Sequence, residues 1–398
     1  MSTRFLIELT GRKSFDKGGF HAARTGATRH HAIGRGGWHA SLILLLISGL
    51  LSVLAAELTA RVFWRLCCGI SLLKPDQILY AYYPELQTTG DLPGALRSVA
   101  PRLPAHGDGF YDILLLGGSV LHKDWSSVEM ELREQLAYRG QRNVRVFNLA
   151  MPAHTSRDSL LKYAALGEAR YDLVIFYHGI NEARANNAPP EIFQQDYGHY
   201  SWYAAVNTLA PYHGTAFVAL PYTLRYLIVS ARYKLTKDSY LSTYHVPERW
   251  VQYGRESRSA ASFQQNLGAI LTLASQRGDR VLLMTFATYV PENYSREAFK
   301  QKQLDYGLHR APIQWWGLPE HVLATVAVHN EIVRSMAAQQ KNVLFVDQAS
   351  LMQGSARYFN DASHLTVLGS IKFVENLVRI LPLNHKSNGP LNAGSNTD

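Results

Sequence analysis

The sequence predicts an α/β fold, a three-layer α/β/α sandwich around a five-stranded parallel sheet, preceded by one transmembrane helix. Short continuous apolar runs recur along the chain, and each ends in glycine or polar residues, as strands buried on both faces do. Segments with helical periodicity separate these runs, which favours parallel strands with helices on both faces of the sheet. A longer uncharged run precedes them all and is the candidate membrane helix.

The composition excludes several classes of protein. The chain has 398 residues, 47% hydrophobic and 18% charged, so it can bury a large core and is not a disordered chain. Its two cysteines, without a CxxC pair, exclude a disulfide-stapled scaffold and a zinc finger. The net charge is +9, but residues 1–37 carry seven cations and two acids. The rest is only mildly basic, so we expect no nucleic-acid partner.

The N-terminal region predicts a membrane anchor. The uncharged run 40–56 has 17 residues and would span about 26 Å as a helix, against a hydrocarbon core of about 30 Å. The helix can continue to Trp64, with Trp38 and Trp64 at the two interfaces. We therefore assign 1–37 to a basic cytoplasmic tail and 38–66 to the anchor. A signal peptide cut near residues 53–55 and a buried core helix are the alternatives.

Five segments are predicted along the chain, the basic tail and the anchor included. Residues 67–108 form a tether, and 109–384 form the large α/β domain, which the topology of the anchor places outside the cytoplasm, in the periplasm or the cell exterior. An aromatic-rich helical insertion covers 185–256; it is either additional core or a substrate cap that faces the membrane. Residues 385–398 are a polar, disordered tail. The adjacent Cys67 and Cys68 are expected to stay unbridged.

The apolar runs place the five strands of the sheet. We expect the strand order 2-1-3-4-5, with residue 119 at the point where the order reverses. The predicted strands are 112–116, 143–148, 172–177, 280–286 and 342–346. The predicted helices between and after them are 126–140, 157–166, 262–275, 321–339 and 367–380.

Polar residues cluster where four of these strands end. The clusters are 117–120 after the first strand, 148–156 after the second, 178–182 after the third and 360–366 after the last. Active sites in open parallel sheets form at the carboxyl ends of the strands. We therefore expect these four clusters to meet in one site.

The residue types in this site predict ester chemistry. Ser119 follows two glycines and can expose its hydroxyl as a nucleophile, and His364 can take the proton of that hydroxyl. Asp361, three residues before His364, can bind its Nδ1 and leave Nε2 for the serine. Asn181 offers a neutral N–H donor. The backbone N–H groups of Ser119 and Ala153 complete the predicted oxyanion hole.

These four clusters, in this order, resemble the four sequence blocks of the SGNH, or GDSL-type, hydrolases. The resemblance covers about residues 109–383 and implies a flavodoxin-like sheet and a serine nucleophile. Three positions depart from the family pattern. Gly118 stands where an Asp is usual, Ala153 where a Gly is usual, and Glu182 where an Asp is usual. If Gly118 only shapes its loop, we expect Gly118→Asp to be tolerated.

The sequence thus predicts a membrane-anchored SGNH-type serine esterase that acts outside the cytoplasm through an acyl-serine intermediate. The expected substrate is an acyl ester, on an envelope glycan or a lipid, and no cofactor or metal is expected. His122, His154 and His178 lack the spacing of zinc ligands and are interpreted as loop or substrate-lining residues. An O-acyltransferase with the same residues and a catalytically silent binding or assembly protein with the same fold remain open.

Overall fold

The computed structural model describes residues 36–86, 104–141 and 143–381. The predicted basic tail before residue 36, the tether over 87–103 and the C-terminal tail lie outside these residues. The chain divides into two compact units, Met1–Leu54 and Ala55–Asp398.

Helix α1 (Gly36–Cys68) begins in the first unit and ends in the second. Among the described residues, one helix, Trp38–Cys68, is long and apolar enough to cross a bilayer. Cys67 and Cys68 at its end are joined as a disulfide, so the prediction that they stay unbridged is wrong. The covalent link closes between adjacent residues just after the apolar segment.

The predicted five-stranded parallel sheet is confirmed, with the order β2-β1-β3-β4-β5. The strands are β1 (Tyr111–Gly117), β2 (Val144–Asn148), β3 (Leu173–Tyr177), β4 (Val281–Met284) and β5 (Val343–Val346). Strand β4 ends two residues earlier than predicted. Thr285 leaves the ladder and donates its hydroxyl to Asp347 Oδ1 at 2.7 Å.

Helices cover both faces of the sheet and make the three layers. One layer contains α2 (Val128–Tyr138) and α11 (Val367–Val378), and the other contains α3 (Ser156–Ala165), α7 (Ser259–Arg277) and α9 (Pro319–Gln339). Successive side chains of a strand point to opposite layers. Leu115 of β1 accordingly lies in the core beneath α2 and α11, and Leu116 lies in the core beneath α3 and α7.

Five more α-helices lie in the described part of the chain. They are α4 (Ile180–Ala183), α5 (Ser201–Leu209), α6 (Leu220–Leu235), α8 (Arg296–Lys300) and α10 (Gln348–Leu351). Within the predicted insertion 185–256 lie α5, α6 and several 3-10 turns. Its first half supplies core, because Tyr197, Tyr200 and Tyr203 are almost fully buried in one cluster. Helix α6 in its second half is mostly exposed.

The structure corrects part of the predicted tether. Residues Pro75–Ala81 form a 3-10 helix, and Ile78, Leu79 and Tyr83 are buried. The Tyr83 hydroxyl donates to Asp158 Oδ1 at 2.8 Å. This stretch is therefore part of the globular domain, because its apolar side chains complete the core beneath α3.

Candidate active site

Ser119 lies in the turn that follows β1, at the carboxyl edge of the sheet. It begins a 3-10 turn, Ser119–Leu121, directly after Gly118. Its Oγ lies 2.7 Å from Nε2 of His364, within hydrogen-bond distance. The side chain is largely buried, at 8% exposure, so few water molecules compete for the hydroxyl.

A tight loop before α11 holds His364 and Asp361 together. Phe359 and Leu365 pair antiparallel and bring the two ends of this loop side by side. His364 Nδ1 lies 2.8 Å from Asp361 Oδ2, and the His364 backbone N–H donates to Asp361 Oδ1 at 2.9 Å. A carboxylate only accepts, so Nδ1 carries the proton and Nε2 is free to accept from Ser119.

The Asp361 carboxylate is fixed by further donors. The Ser363 backbone N–H donates to Oδ1 at 3.0 Å and the Ala311 backbone N–H donates to Oδ2 at 3.1 Å. Asp361 is fully buried, and these backbone donors replace the water that its charge has lost.

Asn181, in α4 just after β3, points its amide at the same edge. Its Oδ1 accepts from Trp316 Nε1 at 2.8 Å, and this contact identifies which end of the amide carries the nitrogen. Its Nδ2 donates one hydrogen to the His154 carbonyl at 2.8 Å. A Cβ at Gly118 would lie 2.7 Å from that nitrogen, so the amide packs directly against the residue before Ser119.

This packing bears on one expectation from the sequence. Gly118 does more than shape its loop, because a Cβ there would lie 2.7 Å from the Asn181 amide nitrogen. The condition under which Gly118→Asp is expected to be tolerated is therefore not met, and the effect of that substitution stays a prediction.

Ala153 lies in the loop after β2 with a φ of 66°, in the left-handed region. Glycine adopts this conformation freely, whereas a residue with a Cβ carries a cost of about 1–2 kcal/mol there. The backbone conformation thus accounts for the glycine that is usual at this position in the resembling family.

A buried lysine holds this loop, and sequence reasoning missed it. Lys162 Nζ, on α3, donates to the Leu149 carbonyl, lies 3.0 Å from His154 Nδ1 and pairs with Glu85 at 3.1 Å. Burial lowers the pKa of His154 to about 4, so its ring is neutral at neutral pH and accepts from the lysine.

Aromatic side chains enclose the histidine. The Trp125 ring centroid lies 4.5 Å from that of His364, and the Arg310 guanidinium lies 4.9 Å from the Trp125 ring centroid. Trp125 and Arg310 also line a cavity of 710 Å³, together with apolar residues that include Met130 and Leu308. None of these residues belongs to a recognisable motif, so they could not be selected from the sequence.

The predicted site residues therefore come together. Ser119, His364 and Asp361 form one hydrogen-bonded chain, and the Asn181 amide lies against Gly118 beside it. The loop that carries Ala153 joins this edge through the bond between Asn181 and the His154 carbonyl.

The other histidines near the site have protein partners. His178 Nε2 lies 2.7 Å from the Ser159 hydroxyl, and burial lowers the pKa of His178 to about 3. His122 Nδ1 accepts from the Asp124 backbone N–H at 3.2 Å. Within the described ranges, no group of three or more metal-ligating side chains is close enough to hold an ion.

Glu182 follows Asn181 and is completely buried. Its Oε1 accepts from the Ser156 backbone N–H at 2.5 Å, which ties α4 to the start of α3. Burial raises the pKa of Glu182 to about 7, although this hydrogen bond opposes the rise. The carboxyl therefore carries its proton in mildly acidic solution.

We expect Glu182→Gln to remove a pH-dependent part of the stability. The carboxyl loses its proton near pH 4.5 in the unfolded chain but only near pH 7 in the folded protein. The folded state binds more protons between these values, so the free energy of unfolding falls as the pH rises through them. Glutamine does not titrate, and the variant should gain about 1–3 kcal/mol relative to wild type across this window.

Urea unfolding of the full chain at several pH values measures this difference. Glu134→Gln, on the exposed side of α2, serves as the matched control for the loss of one carboxylate. A difference between Glu182→Gln and wild type that stays constant from pH 4.5 to pH 7 would contradict the assignment.

Comparisons with known proteins found similar solved structures. No protein-family model matches the chain, and no curated protein matches it significantly. A lipase/acylhydrolase from Enterococcus faecalis is 14% identical with a TM-score of 0.34, over 68% of this chain and 94% of that one. An acetylxylan esterase from Geobacillus stearothermophilus is 14% identical with a TM-score of 0.37, over 70% of this chain and 94% of that one.

Identities this low do not transfer an activity, which has to be argued from the chain's own residues. A third similar structure, from Bacteroides thetaiotaomicron, is 14% identical with a TM-score of 0.37, over 72% of this chain and 93% of that one. It is a GDSL-like lipase, of the family that the four sequence motifs resemble.

Proposed function

We propose that this chain is an SGNH-type serine esterase that cleaves acyl esters through an acyl-serine intermediate. One observation carries the proposal: the Ser119 hydroxyl, the His364 ring and the Asp361 carboxylate form a continuous chain of hydrogen bonds. This is the arrangement that activates a serine in unrelated hydrolases. It favours an enzyme over a catalytically silent protein, in which no such contact is required.

In the first half of the reaction, Ser119 Oγ attacks the ester carbonyl carbon while its proton moves to His364 Nε2. Asp361 stabilises the imidazolium that forms and keeps its proton-bearing Nδ1 in place. The carbonyl oxygen becomes an oxyanion. The backbone N–H groups of Ser119 and Ala153, together with the second hydrogen of Asn181 Nδ2, are proposed to bind it.

The tetrahedral intermediate then collapses. The C–O bond to the alcohol breaks, and His364 Nε2 returns its proton to the leaving alkoxide, which departs as the alcohol. In the second half, water loses a proton to His364 and attacks the acyl-serine. The bond between the acyl carbon and Ser119 Oγ then breaks, His364 Nε2 returns the proton to Oγ, and the products are a carboxylic acid and free Ser119. A sugar hydroxyl in place of water would give acyl transfer instead, with the same residues.

The proposal includes the location of the catalytic domain relative to the membrane. The cations before residue 38 and the apolar helix α1 support an N-terminus in the cytoplasm and a catalytic domain outside it. The substrate would then be an ester of the cell envelope, on a glycan or a lipid. The cavity lined by Trp125 and Arg310 is our candidate for the side that receives it, because Trp125 contacts both this cavity and His364.

A fluorophosphonate probe tests the proposal directly, since it forms a covalent bond only with an activated serine. We expect labelling of the full chain in detergent and none of the Ser119→Ala variant. Absence of labelling in the wild type would reject the enzyme. Assays with p-nitrophenyl acetate, with and without a glycan acceptor, then distinguish release of acetate from transfer to the acceptor.

Asn181→Ala and Gly118→Ala should each lower kcat by roughly 10²–10³, as the loss of an oxyanion donor does. The first removes the amide, and the second pushes it aside because the new Cβ would lie 2.7 Å from Nδ2. Both act on one donor, so the double variant should be no slower than the slower single variant.

Gly268→Ala on α7 is the matched control for this prediction. Its new Cβ would lie 3.6 Å from Met336, an ordinary contact distance, and we expect kcat to stay near the wild-type value. Additive losses in the Asn181 and Gly118 double variant would show that the two residues act separately.

A further inference from the structure

Helix α6 leaves an apolar face uncovered. Of its sixteen residues only Tyr222 and Thr223 are buried. Leu224, Ile228 and Leu235 are between 52% and 85% exposed. Their spacing of four and seven residues places them on one side of the helix, opposite the tyrosines that face the protein.

Cations flank this face and acids are missing from it. Arg225 and Arg232 are seven residues apart and lie along one border, and Lys234 lies along the other. All three are exposed. The sequence from 217 to 237 contains four cations and no Asp or Glu. An apolar face bordered by cations is typical of helices that lie in the interface of a membrane.

The start of α6 is bonded to the end of the candidate membrane helix α1. The Glu57 carboxylate accepts from the backbone N–H groups of Ala219 and Leu220, both at 2.8 Å. Arg61 Nη2 donates to the Phe217 carbonyl at 2.7 Å. Two of the three charges in the apolar segment, Glu57 and Arg61, are thus satisfied by residues at or just before the start of α6.

A third hydrogen bond and an exposed aromatic side chain lie at the same contact between α1 and α6. Trp64 Nε1 donates to the Thr223 hydroxyl at 2.8 Å. Phe217, beside the Arg61 contact, is 90% exposed. On α1 itself, Leu58 and Leu66 are exposed, eight residues apart along one side. Exposed apolar surface therefore extends from the last turns of α1 onto α6.

We propose that the exposed face of α6 lies in the headgroup region of the bilayer that α1 crosses, with Leu224, Ile228 and Leu235 among the acyl chains. The flanking arginines and lysine then meet the phosphates of anionic lipids, and their aliphatic stems lie along the apolar border. The inference rests on the membrane anchor of the proposed function. It assigns the uncovered face to lipid and not to a second copy of the chain.

A fluorescent probe on α6 tests this assignment in the full chain. The background carries Cys67→Ser and Cys68→Ser, and Ile228→Cys receives an environment-sensitive NBD label. The protein is reconstituted in nanodiscs of phosphatidylcholine and phosphatidylglycerol, with or without lipids that carry a nitroxide near the headgroup. We expect roughly a twofold or greater loss of emission with the nitroxide lipids, since an interfacial helix lies about 5–10 Å deep.

Two further label sites separate the possible failures. Tyr138→Cys, on α2 and 94% exposed, should keep its emission and is the matched control. Leu46→Cys, in α1, reports on the anchor alone. Quenching at 46 without quenching at 228 would overturn the inference and leave the anchor intact. No quenching at either site would reject the anchor itself.

The charges are tested in the same assay. Arg225→Gln, Arg232→Gln and Lys234→Gln together should abolish any gain in quenching that phosphatidylglycerol gives over phosphatidylcholine alone. A gain that persists would overturn the role of the flanking cations. Emission at 228 that is blue-shifted but not quenched would show that protein covers the face, and would also overturn the inference.

Discussion

Ser119→Ala is expected to lower kcat for p-nitrophenyl acetate by roughly 10⁵–10⁶, because the attacking oxygen is lost. The Oγ contact with His364 at 2.7 Å is the one hydrogen bond that this change removes from the chain of three residues. The fold should survive, since the side chain contributes little buried volume. Steady-state kinetics and a thermal unfolding curve on the same preparation measure both effects.

Two companion variants make this result specific. Ser363→Ala removes a hydroxyl that is buried near the site and has no hydrogen-bond partner among the described residues, so kcat should stay near wild type. His364→Gln should be about as slow as Ser119→Ala, and the double variant should be no slower than either, because nucleophile and base act as a unit. Substantial turnover by Ser119→Ala would exclude the acyl-serine pathway.

The second large effect is expected from Asp361→Asn, which should lower kcat by roughly 10⁴. The amide nitrogen of asparagine would donate to His364 Nδ1, which then has to accept. The ring proton would move to Nε2 and face the serine hydroxyl, where a proton acceptor is needed. KM should change little, because Asp361 is fully buried and is not among the residues that line the cavity beside Trp125.

Asp305→Asn is the matched control for this change. Asp305 is an exposed carboxylate that accepts from the Tyr289 hydroxyl at 2.6 Å, and Tyr289 in turn donates its backbone N–H to Ala362. We expect its loss to leave kcat near wild type. Equal losses from the two asparagine variants would point to general damage of the loop instead of a changed histidine proton.

The sheet was predictable because its strands are buried on both faces. Runs such as 112–116 are apolar without alternation, and only a central strand with helices on both sides needs that pattern. The boundaries of the helices were harder to predict from the sequence. The helix predicted to begin at residue 126 begins at Val128, and the Ser126 hydroxyl donates to the Val120 carbonyl.

The chain of Ser119, Asp361 and His364 was predictable for a local reason. Asp361 and His364 are close in sequence, and parallel strands bring their ends to one edge. The residues that hold the site were not predictable. Trp316 is 135 residues from the Asn181 amide that it orients, and Lys162 reaches the Leu149 carbonyl, in the loop after β2, from the core. Such contacts depend on tertiary distances that no spacing in the sequence encodes.

The short loop that carries both His364 and Asp361 has a mechanical consequence. The carboxylate is bonded to the backbone and the ring of the same four-residue segment, so histidine and aspartate move as one rigid piece. Among the described residues, the hydrogen bond between Ser119 Oγ and His364 Nε2 joins this piece to Ser119. Under the proposed function, motion of the loop before α11 would connect or separate nucleophile and base at this contact, while Asp361 keeps the proton on Nδ1 of the histidine.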